Sequence, residues 1–345
     1  MPESNGQVLL GGLNGGYNGQ ILMSDINNSH GVVVRINADG TRDAGFASET
    51  FNSVITALQK QSDDKILVAG YFTGPANSIV RLNRDGTRDS TFSSPSSSAN
   101  IQTMIVLPDN KIVVGGFFTS YDGTSAGRIV QLNANGTLDQ AFNNFNGSGA
   151  NDTINVIARQ SDGKIILAGA FSSFNGTSVV RICRLNTNGS FDNTFNTTSG
   201  PNSAISHMVV DSSNNIFIFG LFNQFGGTSR FGMAKLNPNG FLDTDWVPVS
   251  GFGVASISSA LIEQDGSIIV CGGDLTVYDG TAVQNMMKLL PNARLDVNFK
   301  SNISRFSEPS RITRMARYET SKAIITGGFN VYNGVVRNGI ARIFL

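Results

Sequence analysis

The sequence predicts an all-β fold, and three observations carry that expectation. Seven short apolar runs end in glycine: QVLLGG (7–12), KILVAG (65–70), KIVVGG (111–116), KIILAG (164–169), NIFIFG (215–220), SIIVCG (267–272) and KAIITG (322–327). A turn-rich motif follows six of them, as RINADGTRDAGF (35–46), RLNRDGTRDSTF (81–92), QLNANGTLDQAF (131–142), RLNTNGSFDNTF (184–195), KLNPNGFLDTDW (235–246) and KLLPNARLDVNF (288–299). The third is composition: 39 glycines, 14% charged residues, many Asn, Ser and Thr, and no long Ala/Glu/Lys/Leu runs. Such a chain favours strands joined by tight turns over helices.

The elements of one repeat are justified in order. Six glycine runs are preceded by a more alternating segment, such as VITALQKQ (54–61), INVIARQ (154–160) and ITRMAR (312–317). A period of two suits a half-buried strand. The glycine runs are continuous in Ile, Val and Leu, so they read as strands covered on both faces, with the glycine allowing close backbone approach. In FFTSYDGTSAGRIVQLN (117–133), Asp122-Gly123 is a turn signal between two further strands. The last of these enters the turn motif. About fifty residues with up to four antiparallel strands, repeated in tandem without helices, describe a propeller blade. The predicted architecture is therefore an all-β β-propeller of seven blades, six being the alternative. Repeats this long make poor solenoid rungs. Residues 1–7 read as an N-terminal tail and 8–345 as a single propeller domain.

The strand count leaves closure open. There are seven glycine-ended strands and seven following strands, the last being GIARIFL (339–345), but six alternating strands and six Asp-x-x-Phe segments. One blade is then a reduced hairpin, or the two ends share a blade, or a neighbouring subunit adds strands at an edge.

The run DDKILVAGYF (63–72) followed by RLNRDGTRDSTF resembles the delta-60 repeat β-propeller proteins of bacteria and their phages, over nearly the whole chain. The resemblance implies the fold and no particular reaction, because fold does not fix activity.

The motif also raises a question of chemistry. In RLNRDGTRDSTF oxygen-bearing side chains alternate at Asn83, Asp85, Thr87 and Asp89 around Gly86, as in a calcium loop. Calcium takes six to eight oxygens, several of them carboxylates. Across the copies Asp39 and Asp85 give way to Asn135, Asn188, Asn239 and Asn292, and Leu290 replaces the first Asn. What persists is Asp43, Asp89, Asp139, Asp192, Asp243 and Asp296, followed by Phe46, Phe92, Phe142, Phe195, Trp246 or Phe299. The expectation is turn chemistry, with the aspartate accepting bonds from its own turn and the aromatic plugging the space between blades. No metal and no cofactor is predicted.

Other chemistry finds little support. His30 reads as a loop residue and His207 as a core or edge histidine. Cys183 and Cys271 read as buried thiols. No phosphate loop occurs, and GGLNGG (11–16) reads as a turn. Lys+Arg and Asp+Glu are both 25, which gives no footprint for nucleic acid. The absence of any apolar run near ~18 residues argues against membrane insertion, and no export signal is evident at the start.

The candidate binding residues are aromatics before a glycine turn: Tyr17, Tyr121, Phe174, Phe225, Tyr278 and Tyr332, with GPANS (74–78) interrupting the series. They either ring one face for carbohydrate or protein recognition, or pack down on their own turns. The functional expectation is a non-enzymatic structural or recognition propeller, in a virion or extracellular. It is read as a phage tail, fibre or particle-surface component contacting other virion proteins, copies of itself or a host surface glycan. A secreted or surface lectin-like adhesin is the alternative. A polysaccharide lyase or glycosidase comes third, since propellers can bring acids together from different blades.

Overall fold

In a computed structural model of the chain, all residues are described except 2–6, 14, 18–19, 23–30, 97–98, 146, 197–198, 249–256, 274, 300–302, 305–310 and 338; for 8–13, 15–17, 20–22 and 303–304 only the backbone is described. A repeat opens with what we term its lead strand: Ile55–Lys60, Ile101–Val106, Ile154–Arg159, Ile205–Val210, Ile257–Ile262 and the longer Arg311–Glu319. The glycine-ended strand comes next: Ile66–Gly70, Ile112–Gly116, Ile165–Gly169, Ile216–Gly220, Ile268–Gly272 and Lys322–Gly328. The third strands are Ile79–Leu82, Ile129–Leu132, Ile182–Leu185, Met233–Leu236, Met286–Leu289 and Ile340–Phe344.

Two compact units divide the chain: Met1–Ile157 with Ser172–Thr177 and Leu185–Phe191, and Ala158–Phe171 with Ser178–Arg184 and Asp192–Leu345. In the first unit the sheets run lead, glycine-ended, third strand for the repeats opening at Ile55 and Ile101; a further sheet pairs Val8–Leu13 with Gly31–Ile36 and that with Glu49–Phe51. In the second unit the same order holds for the repeats opening at Ile205, Ile257 and Arg311. In these five sheets the glycine-ended strand is thus central, whereas Val8–Leu13 is an edge strand. In Ile66–Gly70, Ile112–Gly116, Ile216–Gly220 and Ile268–Gly272 every residue is buried, as a continuous apolar run predicts. No sheet closes on itself among the described residues.

The glycines answer to close approach. A Cβ on Gly70 would stand 2.1 Å from Val54 O, on Gly116 2.3 Å from Asn100 O, and on Gly220 2.2 Å from Ala204 O, in each case a carbonyl just ahead of a lead strand. The lead strands themselves differ from a plain period of two. Pairing with the glycine-ended strand shifts register between Ile55 and Ala57, between Ile205 and His207, between Ile257 and Ser259, and between Ile312 and Arg314. The residue skipped is polar every time: Thr56, Ser206, Ser258 and Thr313. This is a β-bulge, and it resets which residues face inward. Ile101 and Met104, Ile205 and Met208, and Ile257 and Ala260 are the buried pairs, three apart rather than two.

The bulge hydroxyls do more than fill the gap. Thr56 Oγ1 donates to Ala69 O at 3.2 Å or to Ile101 O, in the next repeat, at 2.6 Å. Ser258 Oγ lies 3.2 Å from Cys271 O and 2.7 Å from Ile312 O. Each hydroxyl sits between its own sheet and the following lead strand.

The fourth candidate strand shrinks to single antiparallel bridges, such as Leu82 with Arg88, Leu132 with Leu138 and Leu236 with Leu242. Its amides turn to the motif aspartate instead of a ladder. One helical turn, Gln140–Asn143, was not expected from the sequence; Asp139 caps it by accepting from Ala141 N. GGLNGG is also corrected: Gly11, Gly12, Gly15 and Gly16 pair within strands, opposite Val33, Val32, Leu22 and Ile21. No helix among the described residues is long and apolar enough to cross a membrane.

Candidate functional site

The recurring motif builds a latch from one carboxylate. Asp89 Oδ1 accepts from Thr91 N at 2.9 Å and Thr91 Oγ1 at 2.6 Å, while Oδ2 takes Arg81 Nε and Lys65 Nζ, both at 2.8 Å. Asp192 repeats this with Thr194 N at 3.0 Å, Thr194 Oγ1 at 2.6 Å, Arg184 Nε at 2.7 Å and Lys164 Nζ at 2.8 Å. In the third copy Gln131 Nε2 replaces the arginine on Asp139, and Lys111 keeps the second place, both at 2.8 Å. Burial by itself would raise the Asp89 and Asp192 pKa values, but the bonds from Lys65 or Lys164, the following threonine and the arginine outweigh it and hold both well below the usual carboxylate range.

The arginine then reaches into the next repeat. Arg35 Nη1 donates to Arg84 O at 2.7 Å, Arg81 Nη1 to Ala134 O at 2.6 Å and Arg184 Nη1 to Pro238 O at 2.6 Å. Its guanidinium lies over the motif aromatic, 4.8 Å from the centroid of Phe46, 5.1 Å from Phe92 and 4.9 Å from Phe195. That aromatic in turn covers the following turn glycine: a Cβ on Gly86 would meet Phe46 at 2.8 Å, and on Gly240 it would meet Phe195 at 2.6 Å. Backbone bonds from Ala47 N to Asp85 O, 2.7 Å, and Ser93 N to Asn135 O, 2.8 Å, complete the join. The plug expected from the sequence therefore sits between consecutive repeats, with the carboxylate oxygens a calcium loop would use already engaged. Asp85 Oδ1 likewise accepts from Thr87 N and Thr87 Oγ1, at 3.0 and 2.6 Å. Among the described residues no three His, Cys, Asp or Glu side chains converge as metal ligands.

The predicted aromatic ring takes a different form. Tyr121, Phe174, Phe225 and Tyr278 are at most 1% exposed, Tyr332 is half-buried, and the Tyr17 side chain lies outside the described residues. Tyr278 Oη donates to Ala293 O at 2.7 Å, and Phe174 stacks on Phe191 at 6.0 Å. For Tyr121, Phe174, Phe225 and Tyr278 a surface display is therefore corrected to core packing; burying a large apolar side chain stabilises by about 1.5–3 kcal/mol. The turns beside them have positive φ at both central residues, 48° and 76° at Asp122 and Gly123 and 50° and 68° at Asp279 and Gly280, as tight hairpins require. What the hairpins expose is Thr124-Ser125, Thr177-Ser178, Thr228-Ser229, Thr281-Ala282 and Val335-Val336.

Exposed apolar groups lie elsewhere. Tyr71, Phe117 and Leu221 follow the strand glycines Gly70, Gly116 and Gly220 and are 36%, 61% and 54% exposed. The signal for them, an apolar residue just past a strand that ends in close approach, was present in the sequence and was missed. Cys183 and Cys271 are free and buried, and burial pushes the Cys271 thiol up to about 12. His207 Nε2 accepts from Ala260 N at 3.2 Å, and burial together with the Arg314 charge lowers its pKa to about 4. His30 lies outside the described residues.

Five segments, 23–46, 61–92, 107–142, 160–195 and 212–245, match the family model described as Domain of unknown function (DUF5122) beta-propeller. The fold is propeller-like. Four of the matched segments end on the latch aromatic and the fifth stops one residue short of it. No curated protein matches the chain. Among solved structures, the extracellular domain of the putative one component system BT4673 from B. thetaiotaomicron aligns with TM-score 0.53 at 12% identity over 93% of this chain, which spans only 37% of that chain's length. Virginiamycin B lyase from Staphylococcus aureus aligns with TM-score 0.51 at 13% identity, over 84% of this chain and 83% of its own. YCF48 from Cyanidioschyzon merolae gives TM-score 0.51 at 15% identity over 99% and 97%, and another YCF48 structure is bound to a D1 peptide. At such identities the likeness is one of fold.

Proposed function

We propose that this propeller is a non-enzymatic scaffold whose repeats form seven blades and whose exposed loops make protein contacts. The observation that carries the reading is the latch. The motif aspartates are spent on ion pairs and turn amides, and the arginines they hold reach into the next repeat; a second recurrent acid, Asp63, Asp109, Asp162 and Asp265, accepts from its own turn. Within the first unit the exposed Tyr71 and Phe117 with the Thr124-Ser125 tip, and within the second Leu221 with Thr228-Ser229, supply apolar centres and polar groups for contacts. A YCF48 propeller of similar fold holding a peptide is consistent with that use.

We further place the protein in a phage particle, as a tail, fibre or particle-surface component touching virion proteins, its own copies or a host glycan. This setting rests on the sequence: low charge, Asn/Ser/Thr/Gly-rich loops and the resemblance to repeat proteins of bacteria and phages. Fractionating a lysate of the source culture on a density gradient, with peptide mass spectrometry, tests it. Banding with intact particles at a constant copy number is expected. Recovery with cell envelopes or free in the medium, beside clean particles, would replace it with the adhesin reading. Turnover of a polysaccharide by the pure protein would overturn the non-enzymatic reading itself.

A further inference from the structure

Outside the latch, the titratable groups of the second unit gather on its lead strands. Arg314 follows the bulge residue Thr313, at the place taken by His207 and Ser259 in the two preceding repeats. Its Nη1 donates to Ser258 O at 3.1 Å and Thr313 O at 3.0 Å, which lays the guanidinium back over the neighbouring lead strand, Ile257–Ile262. Arg81, Arg184 and Arg317 each hold a carboxylate, at 2.8, 2.7 and 2.5 Å. Among the described residues Arg314 holds none, and its Nε and Nη2 make no hydrogen bond. The side chain is exposed to solvent and yet ringed by protein atoms, whose desolvation lowers its pKa from the ordinary guanidinium value.

Apart from these two carbonyls, the described surroundings contribute donors and no counter-charge. His207 is close enough to feel the Arg314 charge, and its Nε2 already accepts from Ala260 N. The neutral imidazole therefore carries its hydrogen on Nδ1, as a donor. Cys271 stays protonated, and Ser258 Oγ is engaged with Ile312 O at 2.7 Å. A guanidinium whose Nη1 is fixed on two backbone carbonyls and which has no anionic partner among the described residues offers its other edge for bidentate binding of an oxyanion.

We propose that Arg314, beside His207, anchors a binding site for a ligand bearing a carboxylate or phosphate group. The site is independent of the scaffold reading and of where the protein works. Phenylglyoxal modification of the full chain, followed by peptide mass spectrometry with and without inorganic phosphate or glutarate, reads the site directly. Several-fold slower labelling of Arg314 is expected, with exposed Arg311 unchanged as the internal control. Protection by phosphate alone or by glutarate alone assigns the ligand class. In a second measurement the saturable rise in melting temperature with the protecting anion is lost in Arg314→Gln and partly kept in Arg314→Lys. Equal labelling of Arg314 in all conditions, or protection that falls equally on Arg311, overturns the proposal, and that result needs no folded variant.

Discussion

Asp192 and Asp243 hold the same place in consecutive repeats and live in different surroundings. Asp192 is 4% exposed and carries both Arg184 and Lys164; Asp243 is 25% exposed and carries Lys235 alone, at 2.9 Å. The difference traces to two positions. The glycine run opens with Lys164 in one repeat and Asn215 in the next, and the motif opens with Arg184 in one and Lys235 in the other. A lysine lacks the second arm that carries Arg184 on to Pro238 O. The latch is thus graded: Asp192 is buried under two cations, Asp139 under Lys111 and the neutral Gln131 amide, and Asp243 with Lys235 alone is partly exposed.

This comparison breaks most sharply at the carboxylate. Asp192→Ala leaves Arg184 and Lys164 without their anion in a buried site, so a loss of about 3–5 kcal/mol is expected. Asp243→Ala removes a partly exposed pair and is expected to cost about 1 kcal/mol or less. Urea unfolding midpoints of the two variants should separate clearly; equal midpoints would remove the distinction.

The turn glycines give the next effect. Gly240 has φ of 84° and no room for a Cβ against Phe195, so Gly240→Ala is expected to cost about 1–3 kcal/mol. In the sixth copy the same turn position is Ala293, with φ of 65°, covered by Trp246 instead of Phe. Ala293→Gly is expected to shift stability by about 1 kcal/mol at most. Thermal unfolding of both tests whether ring and turn residue are matched.

Acid sensitivity follows from the same carboxylates. The Asp89 and Asp192 pKa values are lowered in the folded chain, so their stabilisation is fully present above the unfolded value, about 3.9, and is lost as pH falls below it toward the folded value. Asp192→Asn should flatten the acid limb of stability below about pH 4, while Asp243→Asn should leave more of it. An unchanged limb in Asp192→Asn would contradict the pairing.

The smallest effect concerns two tyrosines at one repeat position. Tyr278 Oη bonds Ala293 O, whereas Tyr121 Oη is buried with no partner among the described residues. Tyr278→Phe is expected to cost about 1 kcal/mol, and Tyr121→Phe close to nothing. Calorimetric melting temperatures resolve the pair.

The glycine-ended strands, their burial and the plug aromatics were legible in the sequence because each depends on local pattern. The latch pairs were less so: Lys65 stands just ahead of Ile66–Gly70 and Asp89 just past the Leu82–Arg88 bridge, and only the antiparallel register of Ile66–Gly70 with Ile79–Leu82 brings them together. The bulge at Thr56 was hidden because an extra residue changes the inward spacing without changing composition. Hairpins as short as Ser120–Tyr121 with Thr124–Ser125 carry too few residues for a period to show which face is inward. That is why the aromatics read equally well as a surface. Arg314 stood out only after its neighbours on two other repeats were in place.

The central claim is that the motif acids join repeats and do not hold calcium. Thermal unfolding of the full chain in a strong chelator and in excess calcium tests it most directly. The account predicts the same midpoint in both. A midpoint that rises with calcium concentration, and loses that rise in Asp85→Asn, would contradict it.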